Sequence, residues 1–312
     1  MNWLRQLSLW QRHLLLSVPL LLIAWVASLL LDSYWLQFAY RALQLLALAT
    51  AWNVLAGYGG QVSLGTAAFV GVGSYAMAIL VNQLQVSYLF VLPLCALMAS
   101  LFAVLVSPGM FRMRGLYFTI GSLALSEALR ILMVNSTLFG GTRGIIVDAP
   151  SPSFTALYLS AVAIVLVAHI AVMFLLSRPT ALALQAVRDD EDVARQMGVR
   201  SFRIKLIAFA LCAAVMGMVG GLQAMKLGVI EPYGAFSLTW TIDTTAVVII
   251  GGMGTVWGPL LGTLVYAGLS ELLRELPELH MAITGVFLLL VIRFAPQGLA
   301  GVLIAWLKRK SQ

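Results

Sequence analysis

Charged residues fall along this chain at intervals that match the thickness of a bilayer. Ala42 to Phe111 is a stretch of 70 residues without Asp, Glu, Lys, Arg or His. One helical crossing of a hydrocarbon core roughly 30 Å thick uses about 20 residues, so this stretch predicts three crossings with turns between them. Ala149 to Ser177 is a further uncharged run broken only by His169, and Leu206 to Met225 fills the 20 residues between Lys205 and Lys226. Leu14 to Leu31, 18 uncharged residues behind Arg5 and Arg12, imitates a signal peptide but is read as a retained first span. Backbone polar groups in lipid must be satisfied internally, so these spans are predicted to be helices. They fall near 14–31, 36–56, 62–81, 87–107, 116–134, 155–177, 206–225, 239–251, 256–272 and 281–305.

Composition agrees, with 61% apolar residue types and a mean hydropathy of +0.97, against about 45–50% apolar content in soluble domains. The expected fold class is an all-α polytopic membrane protein of about ten transmembrane helices, with residues 1–312 forming one transmembrane domain. Ten crossings put both termini on one side. With the N-terminus inside, the inner segments hold Arg5, Arg12, Arg112, Arg114, Arg178, Arg188, Arg195, Arg200, Arg203, Lys205, Lys308, Arg309 and Lys310. The outer segments hold only Arg143, Lys226 and Arg274. Positively charged residues gather in cytoplasmic loops, so both termini are expected there. The same rule accounts for the net charge of +7 without nucleic acid. Cys95 and Cys212 lie in apolar runs, and His13, His169 and His280 lack ligand spacing, so no disulfide framework or metal site is expected. "GVGSYA", Gly71 to Ala76, matches a dinucleotide-binding pattern but lies inside a span and follows no strand.

Five segments interrupt this pattern. The longest inner insertion, about 178–205, contains "AVRDDEDVARQMG", Ala186 to Gly198, with Asp189, Asp190, Glu191 and Asp192 consecutive between Arg188 and Arg195. Residues 186–197 are predicted to form one short amphipathic helix. Its acids lie at the positive end of the helix dipole, Val187, Val193, Ala194 and Met197 turn to the membrane, and Gly198 ends it. Such a segment is either a solvated linker or a docking surface for a cytoplasmic partner. "NVLAGYGGQVSLG", Asn53 to Gly65, carries Gly57, Gly59 and Gly60 for tight turning and close helix approach, with Asn53, Gln61 and Ser63 beside them. "RGLYFTIGSLALSEALR", Arg114 to Arg130, places Thr119 and Glu127 on a helix, with Glu127 three residues from Arg130 and within pairing reach. Depth in the membrane makes such a charge a pathway candidate, while self-neutralisation makes it a structural pair. "LFGGTRGI", Leu138 to Ile145, is an outer loop in which Gly140, Gly141 and Thr142 either expose backbone amides to a substrate carboxylate or simply turn the chain. "VVIIGGMGTVWGPLLG", Val247 to Gly262, has a break at Gly251, Gly252 and Gly254, then Gly258 and Gly262 at the spacing that lets helices touch. Its "GTVWG" faintly echoes "GQVSLG".

In this order the five segments resemble the LivM family, permease subunits of ATP-binding-cassette importers for branched-chain amino acids. The resemblance runs from about Asn53 to Gly301. It is carried by Asn53 to Gly65, Arg114 to Phe118, Gly140, Gly141 and Gly144, the run Ala186 with Arg188 to Glu191, Ala194 and Gly198, then Lys205 to Phe209, Gly251 to Pro259, and Pro296 to Leu299. It implies that Arg188, Asp189, Asp190, Glu191, Asp192, Ala194 and Gly198 belong to a coupling segment docking on ATPase subunits, and that the fold is the ten-helix arrangement of the larger, type II importer class. It further implies a second homologous permease subunit, two cytoplasmic ATP-binding subunits that hold ATP and Mg, and a periplasmic or extracellular solute-binding protein. This chain itself is then expected to hold no cofactor and to be no enzyme, within the inner membrane of a bacterium or archaeon.

The chain also departs from the family pattern. Phe139 stands where Thr is usual, Arg143 adds a charge to the same loop, and Ala181 and Leu182 replace a Gly-Arg pair. Related permeases handle urea, short amides or aromatic acids, which are therefore alternatives to Leu, Ile and Val. An ion-coupled secondary transporter is the competing class, with Arg41, Glu127, Arg130, Asp243 and Arg293 as its deep ionisable residues. A membrane scaffold without transport is a third reading.

Overall fold

The computed structural model describes residues 26, 32–176, 179–274, 277–295 and 297–301. The span expected at 14–31 lies outside these residues apart from Val26, as do Arg5, Arg12, Arg178, Lys308, Arg309 and Lys310. Helix α1 (Ser33–Asn53) runs into one π-helical turn (Val54–Tyr58), and an irregular stretch then leads to α2 (Thr66–Leu84). There follow α3 (Tyr88–Met110), α4 (Leu116–Asn135), strand β1 (Ile145–Ile146) and α5 (Phe154–Leu176). The polar insertion forms α6 (Pro179–Asp189) and α7 (Glu191–Gln196). After it come α8 (Ser201–Leu227), β2 (Val229–Ile230), α9 (Pro232–Ala235), α10 (Leu238–Gly251), α11 (Gly258–Leu272) and α12 (Pro277–Phe294).

Among the described residues six helical stretches are long and apolar enough to cross a membrane: α2, α3, α4, α5, α8, and Pro232–Gly251, which joins α9 to α10. The chain is an all-α polytopic membrane protein. Among the described residues one two-residue ribbon also forms, pairing β1 with β2 in antiparallel register, Ile145 opposite Ile230 and Ile146 opposite Val229. Most helices start and stop within a few residues of expectation. The span expected over 281–305 does not run through: α12 ends at Phe294, and the turn after it reaches Gly298 at φ +68°. The sequence has Pro296 there, and a proline has no amide to continue a helix.

Small residues let the central helices approach closely. Lipid tails are as apolar as Leu, so helices in a bilayer associate by close packing and interhelical hydrogen bonds. α8 crosses α2 with backbone against backbone: a Cβ built on Gly220 would sit 2.0 Å from Val70 O, and one on Gly73 would sit 2.1 Å from Gly217 O. Ser74 Oγ donates across the same crossing to Gly220 O at 2.9 Å. Ser100 Oγ donates to Ala210 O, and Cys212 Sγ to Ala51 O, tying α8 to α3 and α1. The hairpin of α10 and α11 is equally close, because Gly251 and Gly262 leave no room for a Cβ against Gly258 O and Val247 O.

Candidate functional site

The connections gather at two ends of the bundle. At one end the glycine-rich turn, the break at 252–257 and the polar insertion converge. Asn53 Nδ2 donates to Thr255 O at 2.9 Å, and its Oδ1 accepts from Gly254 N at 2.8 Å. Gly57 lies so close to Gly254 that a Cβ would meet its N at 2.4 Å. Arg188 Nη1 then donates to Gly57 O at 3.0 Å, and the Arg188 side chain fills the space beside Gly60. Two segments 200 residues apart in sequence thus make one platform under α6. Gly59 belongs to the same turn, its amide donating to Val54 O at 3.0 Å.

The insertion is not the single helix expected over 186–197. Asp190 adopts an extended conformation and divides it, ending α6 and capping α7 by accepting from Asp192 N and Val193 N at 2.9 and 3.0 Å. An Asp that accepts these orphan amides starts a helix rather than continuing one. The apolar face also differs. Val187 and Ala194 are buried as expected, whereas Val193 is 49% and Met197 80% exposed. Glu191 turns inward, with Lys205 Nζ donating to Oε2 and Arg195 Nη2 to Oε1, both at 2.5 Å. Asp192 receives a two-pronged contact from Arg114, at 2.9 and 3.1 Å, across from the turn before α4. Gly198 ends the segment at φ +88°. Asp189 keeps a largely exposed side chain beside Arg188.

Burial opposes the charge on Glu191, but hydrogen bonds from Lys205 and Arg195 outweigh it and hold the carboxyl below its ordinary value of 4.5. A depressed carboxyl contributes stability that is present above its unfolded pKa and lost as pH falls through the folded one. The melting-temperature gap between wild type and Glu191→Gln is therefore expected to persist from pH 7 to below 4.5 and to close at more acid pH. Thermal scans of the two proteins across that range check it.

Several of the remaining candidates hold backbone in place. The irregular stretch 60–65 is held from three helices: Trp52 Nε1 donates to Ser63 O, Thr119 Oγ1 to Val62 O, and Thr241 Oγ1 to Leu64 O. Ser63 Oγ accepts from Gly65 N, and Gln61 Oε1 is buried with no partner among the described residues. Glu127 and Arg130 pair at 2.6 Å, and the guanidinium lies over the Tyr233 ring. In the outer loop Gly140 N donates to Thr137 O, Gly141 N to Ser136 O and Gly144 N to Gly141 O, so these three amides turn the chain. The glycines at 140, 141 and 144 adopt positive φ to make these turns, with Thr142 between them.

At the other end, where β1 meets β2 and Asn82 binds Ile146 O and Asp148 N, two cavities of about 640 and 500 Å³ open side by side. Their walls share Arg41, Leu45 and Lys226. The larger adds Gln44, Gln223 and Glu231, none of them among the candidate residues drawn from the sequence, and Asp243, expected there only as a deep ionisable residue. Their signal was weak in sequence, each being a single polar residue near or within an apolar helix. Gln44 Nε2 donates to Gln223 Oε1 and to Tyr40 OH, and Tyr266 OH donates to Asp243 Oδ1 at 2.6 Å.

The apolar bundle thus carries a polar cavity at one end and a charged, structured platform at the other, an arrangement that suits a membrane permease. Residues 34–292 match the family described as branched-chain amino acid transport system / permease component, and the chain belongs to that family. It is 28% identical to the high-affinity branched-chain amino acid transport system permease protein LivM of Escherichia coli K12, over 96% of this chain and 77% of that one. A probable LivM of Methanocaldococcus jannaschii is 26% identical over 59% of each chain. LivH of Escherichia coli K12 is 30% identical over 38% of this chain and 39% of its own. No solved structure matches the chain. The resemblance drawn from the motifs to the LivM family therefore holds.

Proposed function

We propose that this chain is one of two permease subunits of an importer for branched-chain amino acids, driven by ATP hydrolysis in partner subunits that hold ATP and Mg. It is a single domain of ten crossings with both termini in the cytoplasm of a bacterial or archaeal cell, and it catalyses no covalent chemistry itself. A second, homologous permease subunit, two ATPases and an extracytoplasmic binding protein complete the machine. The observation that carries this reading is the platform at the inner end. A mobile linker needs no such fixing, whereas a lever that transmits motion from an ATPase must be rigid, and here Arg188, Glu191 and Asp192 bind it to three separate elements. ATP-driven closure acts on the bundle only through a differential affinity for its two states. Energised vesicles containing the full complex are expected to take up leucine when ATP is present and a protonophore is added. Uptake that collapses with the proton gradient while ATP stays high rejects the importer in favour of ion coupling.

The same geometry separates the residues that build the platform from those that present it. Asp190 and Glu191 are occupied within the chain, so reversing their charges tests folding of the segment rather than contact with an ATPase. The exposed Met197 and Val193 form its apolar outward surface. Buried interface anchors contribute about 2 kcal/mol or more, so Met197→Asp is expected to lower ATP-driven uptake at least about tenfold. Its melting temperature should stay at the wild-type value. Wild-type uptake in that variant removes Met197 from the contact.

A further inference from the structure

The 640 Å³ cavity at the end opposite the platform has the size of small-molecule sites, about 300–1,000 Å³. Its charge is unusual for this chain. Arg41 and Lys226 face it from α1 and the end of α8, and Glu231 and Asp243 from the loop after β2 and from α10. Two cations and two carboxylates make a wall that is neutral in sum and strongly polar in detail. Ionisable groups within spans are costly and mark substrate pathways. A balanced set suits a ligand that carries both charges, while a wall of one sign would suit an anion or a cation. Apolar surface lies next to these charges, from Leu45, Ala224, Leu227, Ile230 and Trp240.

We infer that this cavity is an entry subsite for a zwitterionic α-amino acid, its carboxylate between Arg41 and Lys226, its ammonium facing Glu231 and its aliphatic side chain against Leu45, Ala224 and Ile230. The inference rests on the importer reading and assigns to it residues that none of the five motifs contains. The Arg41 fork matches a carboxylate and the Lys226 ammonium adds a second charge. Lys226 also lies over the buried Tyr40 ring, 4.8 Å from its centroid, and Tyr40 OH accepts from Gln44, so the cation is oriented by a ring fixed within the bundle. Asp243 is held from behind by Tyr266 OH, which fixes one oxygen of the negative wall. The neighbouring 500 Å³ cavity, with Arg274 stacked on Tyr34 at 4.4 Å and sharing Arg41 and Lys226, is the approach to the subsite.

The test uses the complete importer in nanodiscs. Cys95 and Cys212 are buried, so Thr239→Cys at the exposed rim of the cavity places one reactive thiol there. Saturating leucine is expected to slow labelling of that thiol by a small reagent about tenfold. Leucinamide, which lacks the carboxylate, and 4-methylpentanoate, which lacks the ammonium, should leave the rate unchanged. Arg41→Gln with Lys226→Gln should abolish protection, whereas Arg41→Lys and Glu231→Gln should each weaken it. If the double variant fails to assemble, these two single variants carry the test. Equal protection by leucine and both analogues, or full protection after both cations are neutralised, overturns the subsite. A wild-type complex that imports leucine with ATP yet shows no protection also overturns it and leaves the importer reading standing. Protection without ATP-driven uptake does the reverse.

Discussion

Gly220→Ala is expected to destabilise the permease by about 3 kcal/mol, the upper end of the range for overpacking a close-fitted core. The reason is that the obstacle is backbone. A side-chain neighbour can rotate away, but the Cβ would lie 2.0 Å from Val70 O and 2.8 Å from Val70 C, so α2 and α8 must separate. Separation lengthens the bond from Ser74 Oγ to Gly220 O and loosens the stack below, where Gly217 meets Cys95 O and Ala99 Cβ. Gly73→Ala should act alike, through Gly217 O at 2.1 Å. Gly268→Ala is the control. Nothing lies within 4 Å of its Cβ, and removing an interior helical glycine contributes about 0.5–1 kcal/mol of stability. Thermal scans and size-exclusion profiles in detergent should show the first two variants melting early and aggregating and the third melting later. A Gly220→Ala protein as stable as wild type would mean that α2 and α8 do not cross at this distance.

Six spans were legible because charge is costly in a bilayer, so long stretches with few charged residues mark these helices. Glycine spacing was legible for a related reason: Gly258 and Gly262 recur at one turn, and α10 does lie against them. The break in the insertion was not legible. Four consecutive acids all suit a helix start, and nothing local distinguishes Asp190 from its neighbours. The choice is made by partners far away in sequence, Lys205 for Glu191, Arg114 for Asp192 and Gly57 O for Arg188. The mistaken apolar face has the same origin, since a break at Asp190 rotates Val193 and Met197 away from the side they would share with Val187 in one continuous helix. The cavity was hidden for a different reason. Gln44 and Gln223 meet at 3.2 Å across 179 positions, and each by itself is one polar residue in an apolar helix.

Glu191→Leu is expected to cost about 3–5 kcal/mol, because it leaves Lys205 buried without its counter-charge. Only 7% of the Lys205 side chain and 14% of that of Glu191 is exposed. Lys205 stands near the start of α8, the helix that packs on α1, α2 and α3, so this ion pair is one direct mechanical link between the insertion and the transmembrane bundle. Lys205→Met alone should be similarly damaging, leaving Glu191 with Arg195 as its remaining partner. Replacing both, Glu191→Leu with Lys205→Met, should recover much of the loss in melting temperature, since a buried ion pair and an apolar pair of similar volume are often equal in stability. Transport should separate from stability in this double variant. The apolar pair keeps α7 packed on α8 but gives up the oriented hydrogen bonds, so ATP hydrolysis should continue with less leucine moved per turnover. A double-mutant cycle on both readouts decides it: a coupling energy near zero for melting would show that Glu191 and Lys205 do not act as a pair. Full transport in the stable double variant would place the transmission of force elsewhere, on Arg188 and the platform beneath it.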